Sequence, residues 1–440
     1  MSTGSKAASK PNRRGRRSSV VGPSKPRFWR ILGPGLITGA SDDDPSGIAT
    51  YSQAGAQFGY QLAWALLFTY PLMTAVQMIS ARIGRITGRG IAGNLRHYYS
   101  NTLLQIIVVL LFVANVLNVG ADLGAMAEAS RLLLPAIPTW IYILGFGTLC
   151  TLAQMFFKHT RYVAILQWGT LSLFAYFAAL FMVHVQWKEF LLGLLWPHFS
   201  ISKDSLMMVV AVLGTTISPY LFFWQAAQEV EDTKAKPERV PLRRDPAQAP
   251  RALSRIQLDT VIGMGFSNLV ALAILVTAAA TLNSSGIHHV DSAAQAAEAL
   301  RPIAGNAAFA VFALGIIGTG LLAVPVLAGS AAYAAGEARG WPVGLARKPL
   351  QAKAFYGAIA VATLLGAVSN MLALSPITAL VWVAVINGVL AVPVMTLLMV
   401  MARNPRVMGE FRISTLLSAI GWIATVVMAI AAIAFIVTLI

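Results

Sequence analysis

Three consecutive aspartates, residues 42–44, lie in the middle of an otherwise apolar stretch and are followed directly by Pro45, Ser46 and Gly47. A carboxylate at the centre of a membrane helix costs about 2.5–3.5 kcal/mol on insertion scales, so such groups usually face a cavity or a partner. Pro45 removes a backbone donor and Gly47 loosens the helix, so nearby carbonyls and amides lose their helical partners. Lipid tolerates this only where protein, a cavity or an ion satisfies the freed groups. The sequence therefore predicts an interrupted helix with a polar site at its centre.

A second interruption is predicted in the segment GTTISPY, residues 214–220, where two threonines, a serine and Pro219 stand among apolar residues. Pro219 as a simple kink is the alternative. At the first break, successive helical residues turn by about 100°, so the three aspartates cannot all face one cavity. We predict Asp44 as the principal group, with Asp43 as a secondary candidate and Asp42 paired elsewhere or on a water path.

A carboxylate with freed carbonyls and hydroxyls is an oxygen-only donor set, which suits hard cations such as Mg²⁺, Ca²⁺ and Mn²⁺. The nearest methionines of the second break, Met207 and Met208, precede Ser218 by ten or more residues, about 15 Å along a helix. An anion is disfavoured beside Asp44, whereas an organic cation or zwitterion stays open as an alternative.

The composition shows which elements must position these residues. The chain has 440 residues, of which 57% are hydrophobic and 11% charged, and its mean hydropathy is +0.68. These values exclude a water-soluble enzyme and indicate a helical membrane protein. The single cysteine, Cys150, excludes a disulfide framework and a cysteine metal cluster. We expect no catalytic residues and no cofactor, and no P-loop motif for ATP is present.

Apolar runs bounded by charge, Pro or Gly predict eleven spans, numbered here 1 to 11. They cover residues 31–57, 61–81, 103–130, 138–157, 162–185, 206–228, 257–281, 305–335, 352–370, 377–401 and 414–438. The interrupted spans 1 and 6 are five spans apart and so enter the membrane from opposite sides. Such a pair marks a midplane binding site between inverted repeats.

The predicted fold is therefore an all-α polytopic membrane protein with a 5+5 inverted repeat and broken helices 1 and 6. Its parts are a disordered basic cytoplasmic tail (1–29), a first repeat (30–185), a second repeat (206–401) and a peripheral span 11 (414–440). A flexible cytoplasmic loop, 229–255, interrupts the second repeat.

The net charge of +16 follows the topology. The segments predicted on the side of the N-terminus carry 29 of the 33 Lys and Arg residues; the opposite side keeps Arg131, Lys188, Lys203 and Arg301. This bias places the N-terminus in the cytoplasm and the C-terminus outside, in the cell membrane. Membrane lipid is the expected partner of the basic segments, and nucleic acid is not.

The two breaks and several motifs along the chain make the sequence resemble the natural resistance-associated macrophage protein (Nramp) family of divalent-metal transporters. The likeness covers most of the chain after residue 30. It comprises GPG (33–35), the Asp-Pro break with the following Ala-Thr, QAGAQFGY (53–60), Gln77 with SARIG (80–84), TGRG (87–90), GADLGA around Asp122, and MGEF (408–411). The resemblance implies the inverted-repeat fold shared with the amino-acid and neurotransmitter sodium symporters.

The departures from the family pattern lie in the chemistry. The family's Asp-Pro-Gly-Asn is Asp-Pro-Ser-Gly here, and its Met-Pro-His in span 6 is Ser-Pro-Tyr. Asp122 matches an acidic position of the family's proton pathway, but the acid expected three residues later is Ala125. The basic residue expected in span 9 is missing, because no charge lies between Lys353 and Arg403. This pattern is similar to the Nramp-related magnesium transporter branch, and it makes proton coupling doubtful.

Carried over by position, the resemblance implies four ion-contacting residues: Asp44 through its carboxylate, Gly47 by leaving room for water, Thr215 through its carbonyl, and Ser218 in place of methionine. Replacing Asn and Met by Gly and Ser enlarges the site, which suits a Mg²⁺ ion that keeps several waters.

Further candidates for the site or pathway are Asp43, Asp122, Tyr220, Gln225 and Asn387. Asp122 is either a proton acceptor or a partner of Arg131, and Asn387 either faces the site or bonds a neighbouring helix. Glu229, Glu231 and Asp232 form an acidic cluster that attracts cations or is a solvated helix end.

The leading functional hypothesis is a carrier of divalent cations, Mg²⁺ first and Mn²⁺ second, that works by alternating access with weak or no proton coupling. The alternatives are a proton-coupled Mn²⁺/Fe²⁺ importer, a transporter of a non-metal solute, and a membrane sensor that does not transport. The 27-residue loop is too short for the output domain of such a sensor.

Overall fold

The computed structural model describes residues 38–39, 41–156, 174–197, 202–235, 238–370 and 375–439. The predicted tail 1–29, the beginning of span 1 and much of span 5 lie outside the described residues. In the described part the chain is helical from end to end, with turns and short 3₁₀ helices between the helices.

The helices confirm the predicted order of spans. Those that form the spans are residues 38–39 and 41–42 with Pro45–Phe58 (span 1), Ala63–Thr87 (2), Asn101–Leu133 (3), Thr139–Phe156 (4), Phe174–Met182 (5, in part), Lys203–Thr216 with Pro219–Lys234 (6), Ala249–Thr281 (7), Ala308–Arg339 (8), Lys353–Ser369 (9), Pro376–Arg403 (10) and Thr415–Val437 (11). Shorter helices are Ile91–Tyr98, Trp187–Leu195, Ala293–Glu298, Arg301–Ala304 and Pro405–Met408. Eight of the described helices are long and apolar enough to cross a membrane, and span 9 is apolar but shorter.

The predicted loop 229–255 is wrong in its bounds. The helix of span 6 continues through Lys234, and the next helix begins at Ala249. The segment between them is held by Arg85 at the end of span 2, whose guanidinium donates to the Val240 carbonyl at 2.6 Å and to Gln248 Oε1 at 2.9 Å. The charged residues at the ends of both helices are compatible with helical structure because they form ion pairs, Asp232 with Arg239 and Glu229 with Arg255.

The two halves of the chain pack in equivalent ways. The second half of span 1 lies on span 7, and the second half of span 6 lies on span 2, while spans 3 and 8 pack against each other along the centre. Span 11 lies outside this arrangement, against spans 2, 6 and 10. In a 5+5 repeat span 6 corresponds to span 1, and span 7 to span 2. The contact of span 1 with span 7 and the contact of span 6 with span 2 are therefore equivalent, as an inverted repeat requires.

Glycines allow the closest of these contacts. A Cβ at Gly55 of span 1 would lie 2.3 Å from the Leu275 carbonyl oxygen of span 7, and a Cβ at Gly84 of span 2 would lie 2.3 Å from the Ala226 carbonyl oxygen of span 6. Such backbone approach is how membrane helices gain packing energy, since lipid supplies no hydrophobic driving force between them. Both broken helices are thus fixed tightly to their neighbours.

Candidate functional site

The first break is a helix start in the middle of span 1. Asp44 is the N-cap of Pro45–Phe58, with an extended backbone (φ −73°, ψ 172°), and its Oδ1 accepts the Gly47 N–H at 2.7 Å. Pro45 occupies the first helical position, where no N–H partner is needed. Because residue 45 is proline, the Ser41 carbonyl four residues earlier loses its helical donor. The local sequence alone therefore places the carboxylate of Asp44 at the interruption.

The second break repeats this arrangement in span 6. Ser218 is the extended N-cap of Pro219–Lys234 (φ −82°, ψ 126°), but its side chain makes no cap bond. Instead its hydroxyl lies 2.9 Å from the carbonyl oxygens of both Gly214 and Thr215. Pro219 removes the N–H that the Thr215 carbonyl would accept in an unbroken helix. The Thr215 carbonyl, which has lost its helical donor, and the Ser218 hydroxyl therefore lie together at this break.

The two breaks meet in the centre of the molecule. The Tyr220 hydroxyl donates to Asp44 Oδ2 at 3.1 Å and lies 3.4 Å from the Ser41 carbonyl oxygen. Gly47 faces span 6, because a Cβ placed on it would lie 3.5 Å from Thr215 Oγ1. Asp44, Thr215 and Ser218 are each at most 3% exposed. The structure thus brings Asp44, Gly47, Thr215, Ser218 and Tyr220 together around one buried point.

Asp42 and Asp43 lie on another side of the first break, against span 7. The Ser267 hydroxyl is 2.7 Å from Asp42 Oδ2 and 3.2 Å from Asp43 Oδ1. One hydroxyl has one proton to donate, so the two carboxylates share this donor. Ser267 was not predicted from the sequence, and the signal that marks it is a small polar residue in the middle of span 7.

Asp122 on span 3 is fully buried, and neither carboxylate oxygen has a hydrogen-bond partner within the described part of the chain. It lies within electrostatic reach of Asp44. The alternative pairing with Arg131 is wrong, because Arg131 donates to Thr139 at 3.2 Å. Nine helical residues separate Asp122 from Arg131, about 13 Å along the axis.

Gln225 and Asn387 each bond a neighbouring helix. Gln225 Oε1 accepts the Thr38 hydroxyl, which joins the first half of span 1 to the second half of span 6. Asn387 forms a reciprocal pair of hydrogen bonds with Asn118 of span 3, at 3.1 and 3.0 Å. For Asn387, the contact found is the helix-to-helix alternative.

The acidic cluster at the end of span 6 is not a uniformly solvated helix end. Glu229 has 0% exposure and pairs with Arg255 at the start of span 7. Arg255 also lies 3.9 Å from Asp232 and 3.7 Å from Asp259. The charges thus join spans 6 and 7 beside the segment that connects them.

Comparison with known proteins gives a consistent result. Residues 35–438 match the family model described as natural resistance-associated macrophage protein-like. The chain is 28% identical over 317 residues to the divalent metal cation transporter MntH of Aeromonas hydrophila, covering 68% of this chain and 71% of that protein. It is 28% identical over 307 residues to MntH of Erwinia tasmaniensis, covering 67% and 68%.

Solved structures are similar over almost the whole chain. The manganese transporter of Eremococcus coleocola superposes with a TM-score of 0.75 at 16% identity, covering 94% of this chain and 88% of that one. Mhp1, a nucleobase-cation-symport-1 family transporter, gives a TM-score of 0.56 at 14% identity, covering 92% of each chain. These likenesses confirm the predicted fold, with inverted repeats and broken helices 1 and 6.

Proposed function

The chain belongs to the Nramp family, and from that membership we propose that it carries divalent metal cations across a membrane by alternating access, with Mg²⁺ preferred and Mn²⁺ second. The relatives named above are transporters, and the chain is not an enzyme. The divalent cation is its cargo rather than a cofactor.

The observation that carries this proposal is the meeting of the two breaks at Asp44. One carboxylate, the Thr215 carbonyl and the Ser218 hydroxyl supply oxygen ligands from both inverted repeats. An ion held between two repeats is exposed alternately to the two sides when one repeat moves against the other. We propose Asp44, Gly47, Thr215 and Ser218 as the ion site, with Tyr220 orienting the carboxylate.

The donor set supports weak, reversible binding. Within the described ranges, no group of three or more His, Cys, Asp or Glu side chains is arranged to hold a metal. A site with one carboxylate and neutral oxygens binds an ion well enough to select it but releases it again, as conduction requires. Such a site suits a transported ion.

Two ligands of the family, a methionine and an asparagine, are replaced at this site, and their loss supports the proposed preference for Mg²⁺. Ser218 presents oxygen where the family has sulfur, so soft transition metals gain no thioether ligand. Gly47 contributes no side-chain donor where the family has asparagine, and a Cβ there would already lie 3.3 Å from the Tyr51 ring. Mg²⁺ keeps several of its waters and is usually bound through one or two carboxylates, so a site with one carboxylate and few other side-chain donors favours a partly hydrated ion.

We also propose that proton coupling is weak or absent. Tyr220 replaces a family histidine, and in span 9 the only charged residue is Lys353 at its first position. The second candidate, a proton-coupled Mn²⁺/Fe²⁺ importer, is favoured by Asp122, whose two oxygens are buried without a hydrogen-bond partner in the described structure.

The orientation proposed from the positive-inside bias places the N-terminus in the cytoplasm and the C-terminus outside, in the cell membrane. In that orientation the second half of span 1 faces outward and the second half of span 6 faces inward.

Uptake into liposomes tests these proposals. Purified protein is reconstituted, and entry of Mg²⁺ and Mn²⁺ is followed with internal dyes together with internal pH, for the wild type and for Asp44→Ala. We expect Mg²⁺ uptake that is lost in Asp44→Ala and moves no protons. Proton influx that follows Mn²⁺ uptake would favour the second candidate. If neither ion enters, a transporter of another solute or a non-transporting sensor becomes the better hypothesis.

Ser218→Met tests the ion preference separately. The substitution restores a soft donor at the second break, so uptake of Mn²⁺ or Cd²⁺ should rise relative to Mg²⁺. An unchanged ratio of the ions in a folded variant would contradict the assignment of Ser218 to the site.

A further inference from the structure

A cavity separate from the proposed ion site lies at the end of the bundle where the basic residues concentrate. It has a volume of about 440 Å³ and lies between the end of span 2, the helix Ile91–Tyr98, the second half of span 6 and the segment after span 8. Small-molecule sites typically have volumes of about 300–1,000 Å³. Val230 and Val343 form part of its wall. The cavity is therefore large enough for a small organic ligand.

Three cationic side chains converge on this cavity from different elements. Arg89 follows span 2, Arg96 lies on the helix Ile91–Tyr98, and Lys234 ends span 6. In the described part of the chain none of the three lies within ion-pair distance of a carboxylate. The guanidinium of Arg96 lies against Gly340, where a Cβ would be 2.0 Å from its Nη1.

The carboxylate that lines the cavity does not neutralise these cations by direct pairing. Glu337, at the end of span 8, accepts the Gly90 N–H on Oε1 and the Gly93 N–H on Oε2, each at 2.9 Å. It therefore caps the start of the helix Ile91–Tyr98. The cavity keeps an excess of positive charge without a direct counterion from the protein.

We propose that this cavity binds a phosphate-bearing anion, held by Arg89, Arg96 and Lys234. Arginine matches the geometry of phosphate oxygens with paired N–H donors, and lysine adds a point charge. The three cations and the Glu337 carboxylate sum to a charge of +2, which matches the two or more negative charges of a di- or polyphosphate or of a phosphorylated headgroup, whereas a single carboxylate would neutralise only half of it. The phosphate comes either from a soluble compound or from an anionic lipid of the adjacent leaflet.

The ligand would join three parts of the molecule that are distant in sequence. Lys234 belongs to the half of span 6 that begins at the second break, while Arg96 and Glu337 belong to its neighbours. A ligand that binds the folded protein alone also stabilises it in proportion to its concentration. Binding can thus be measured without reference to the ion that the protein carries.

The test uses full-length protein in detergent, titrated with pyrophosphate by calorimetry and followed in parallel by thermal unfolding. The variant Arg96→Gln/Lys234→Gln removes two of the three charges. Arg412→Gln/Lys353→Gln is the matched control, because both residues are exposed and neither lines the cavity. Short-chain phosphatidylglycerol and phosphatidylcholine are each titrated in the same way, and each is then added in competition with pyrophosphate to distinguish the two sources.

We expect pyrophosphate to bind the wild type and the control alike, and to bind the cavity variant at least about tenfold more weakly. Displacement of pyrophosphate by phosphatidylglycerol but not by phosphatidylcholine identifies a lipid headgroup; displacement by neither identifies a soluble phosphate compound. No binding to the wild type by either phosphate probe, or equal affinity in the cavity variant and the control, would overturn the proposal.

Discussion

Asp44→Asn removes the charge from the proposed ion site while preserving the local fold. Asn and Asp are equally good N-caps, so the Gly47 N–H that Asp44 accepts at 2.7 Å keeps an acceptor. The amide nitrogen then replaces Oδ2, so the Tyr220 hydroxyl accepts from it and turns its own proton to the Ser41 carbonyl, 3.4 Å away. The substitution therefore isolates the charge, whereas Asp44→Ala also costs about 1 kcal/mol of cap energy.

The expected loss follows from electrostatics. Two unit charges 4 Å apart interact by about 4 kcal/mol at an effective dielectric constant of 20, and a divalent ion doubles this figure before its lost hydration is subtracted. If lost hydration offsets half of this attraction, removing the only acidic ligand of the site costs about 4 kcal/mol of binding free energy. This corresponds to roughly a thousandfold weaker binding.

The assay is Mg²⁺ binding by calorimetry together with uptake into liposomes. Asp245→Asn is the matched control, because Asp245 is also an N-cap aspartate followed by proline, accepting the Ala247 N–H at 3.2 Å, but lies in the segment between spans 6 and 7. We expect Asp245→Asn to bind and transport like the wild type. If Asp44→Asn keeps its affinity to within about threefold and unfolds like the wild type, the charge of Asp44 does not hold the ion.

Three further predictions concern packing and buried polar groups. Gly55→Leu should destabilise the protein by about 1–3 kcal/mol, because the new side chain would collide with the Leu275 carbonyl of span 7. Gly145→Leu is the control, because nothing lies within 4 Å of a Cβ there. Thermal unfolding in detergent compares the two variants, and equal midpoints would contradict the close contact at Gly55. Asn387→Leu should lower the free energy of unfolding by about 1–3 kcal/mol, because Asn118 loses its hydrogen-bond partner. The affinity for Mg²⁺ should stay unchanged, and a large loss of affinity would instead place Asn387 in the ion site. Glu229→Gln should lower the free energy of unfolding by about 3 kcal/mol, because it breaks the buried ion pair with Arg255 of span 7. Chemical denaturation measures this, and an unchanged free energy of unfolding would refute it.

Much of the site could be predicted from the sequence because its determinants are local. Proline at residues 45 and 219 removes a specific helical hydrogen bond wherever the chain folds, so both breaks and the freed carbonyls follow from sequence order. Hydropathy and the distribution of charge are also local properties, and they sufficed for the spans and for the predicted orientation. The cap role of Asp44 depends only on the residues that follow it.

Only the tertiary structure decided which partner each polar side chain meets. Asp42 and Asp43 share Ser267, more than 220 residues away in sequence, and Asn387 pairs with Asn118 across 269 residues. Glu229 is buried because the start of span 7 supplies a cation. Periodicity gives the direction of a side chain about its own helix axis but not the neighbour in that direction, because helix contacts depend on shape and close approach along the whole span. The sequence by itself therefore determined where the helices break, and the packing of the two repeats decided that Asp44 meets span 6 while Asp42 and Asp43 meet span 7.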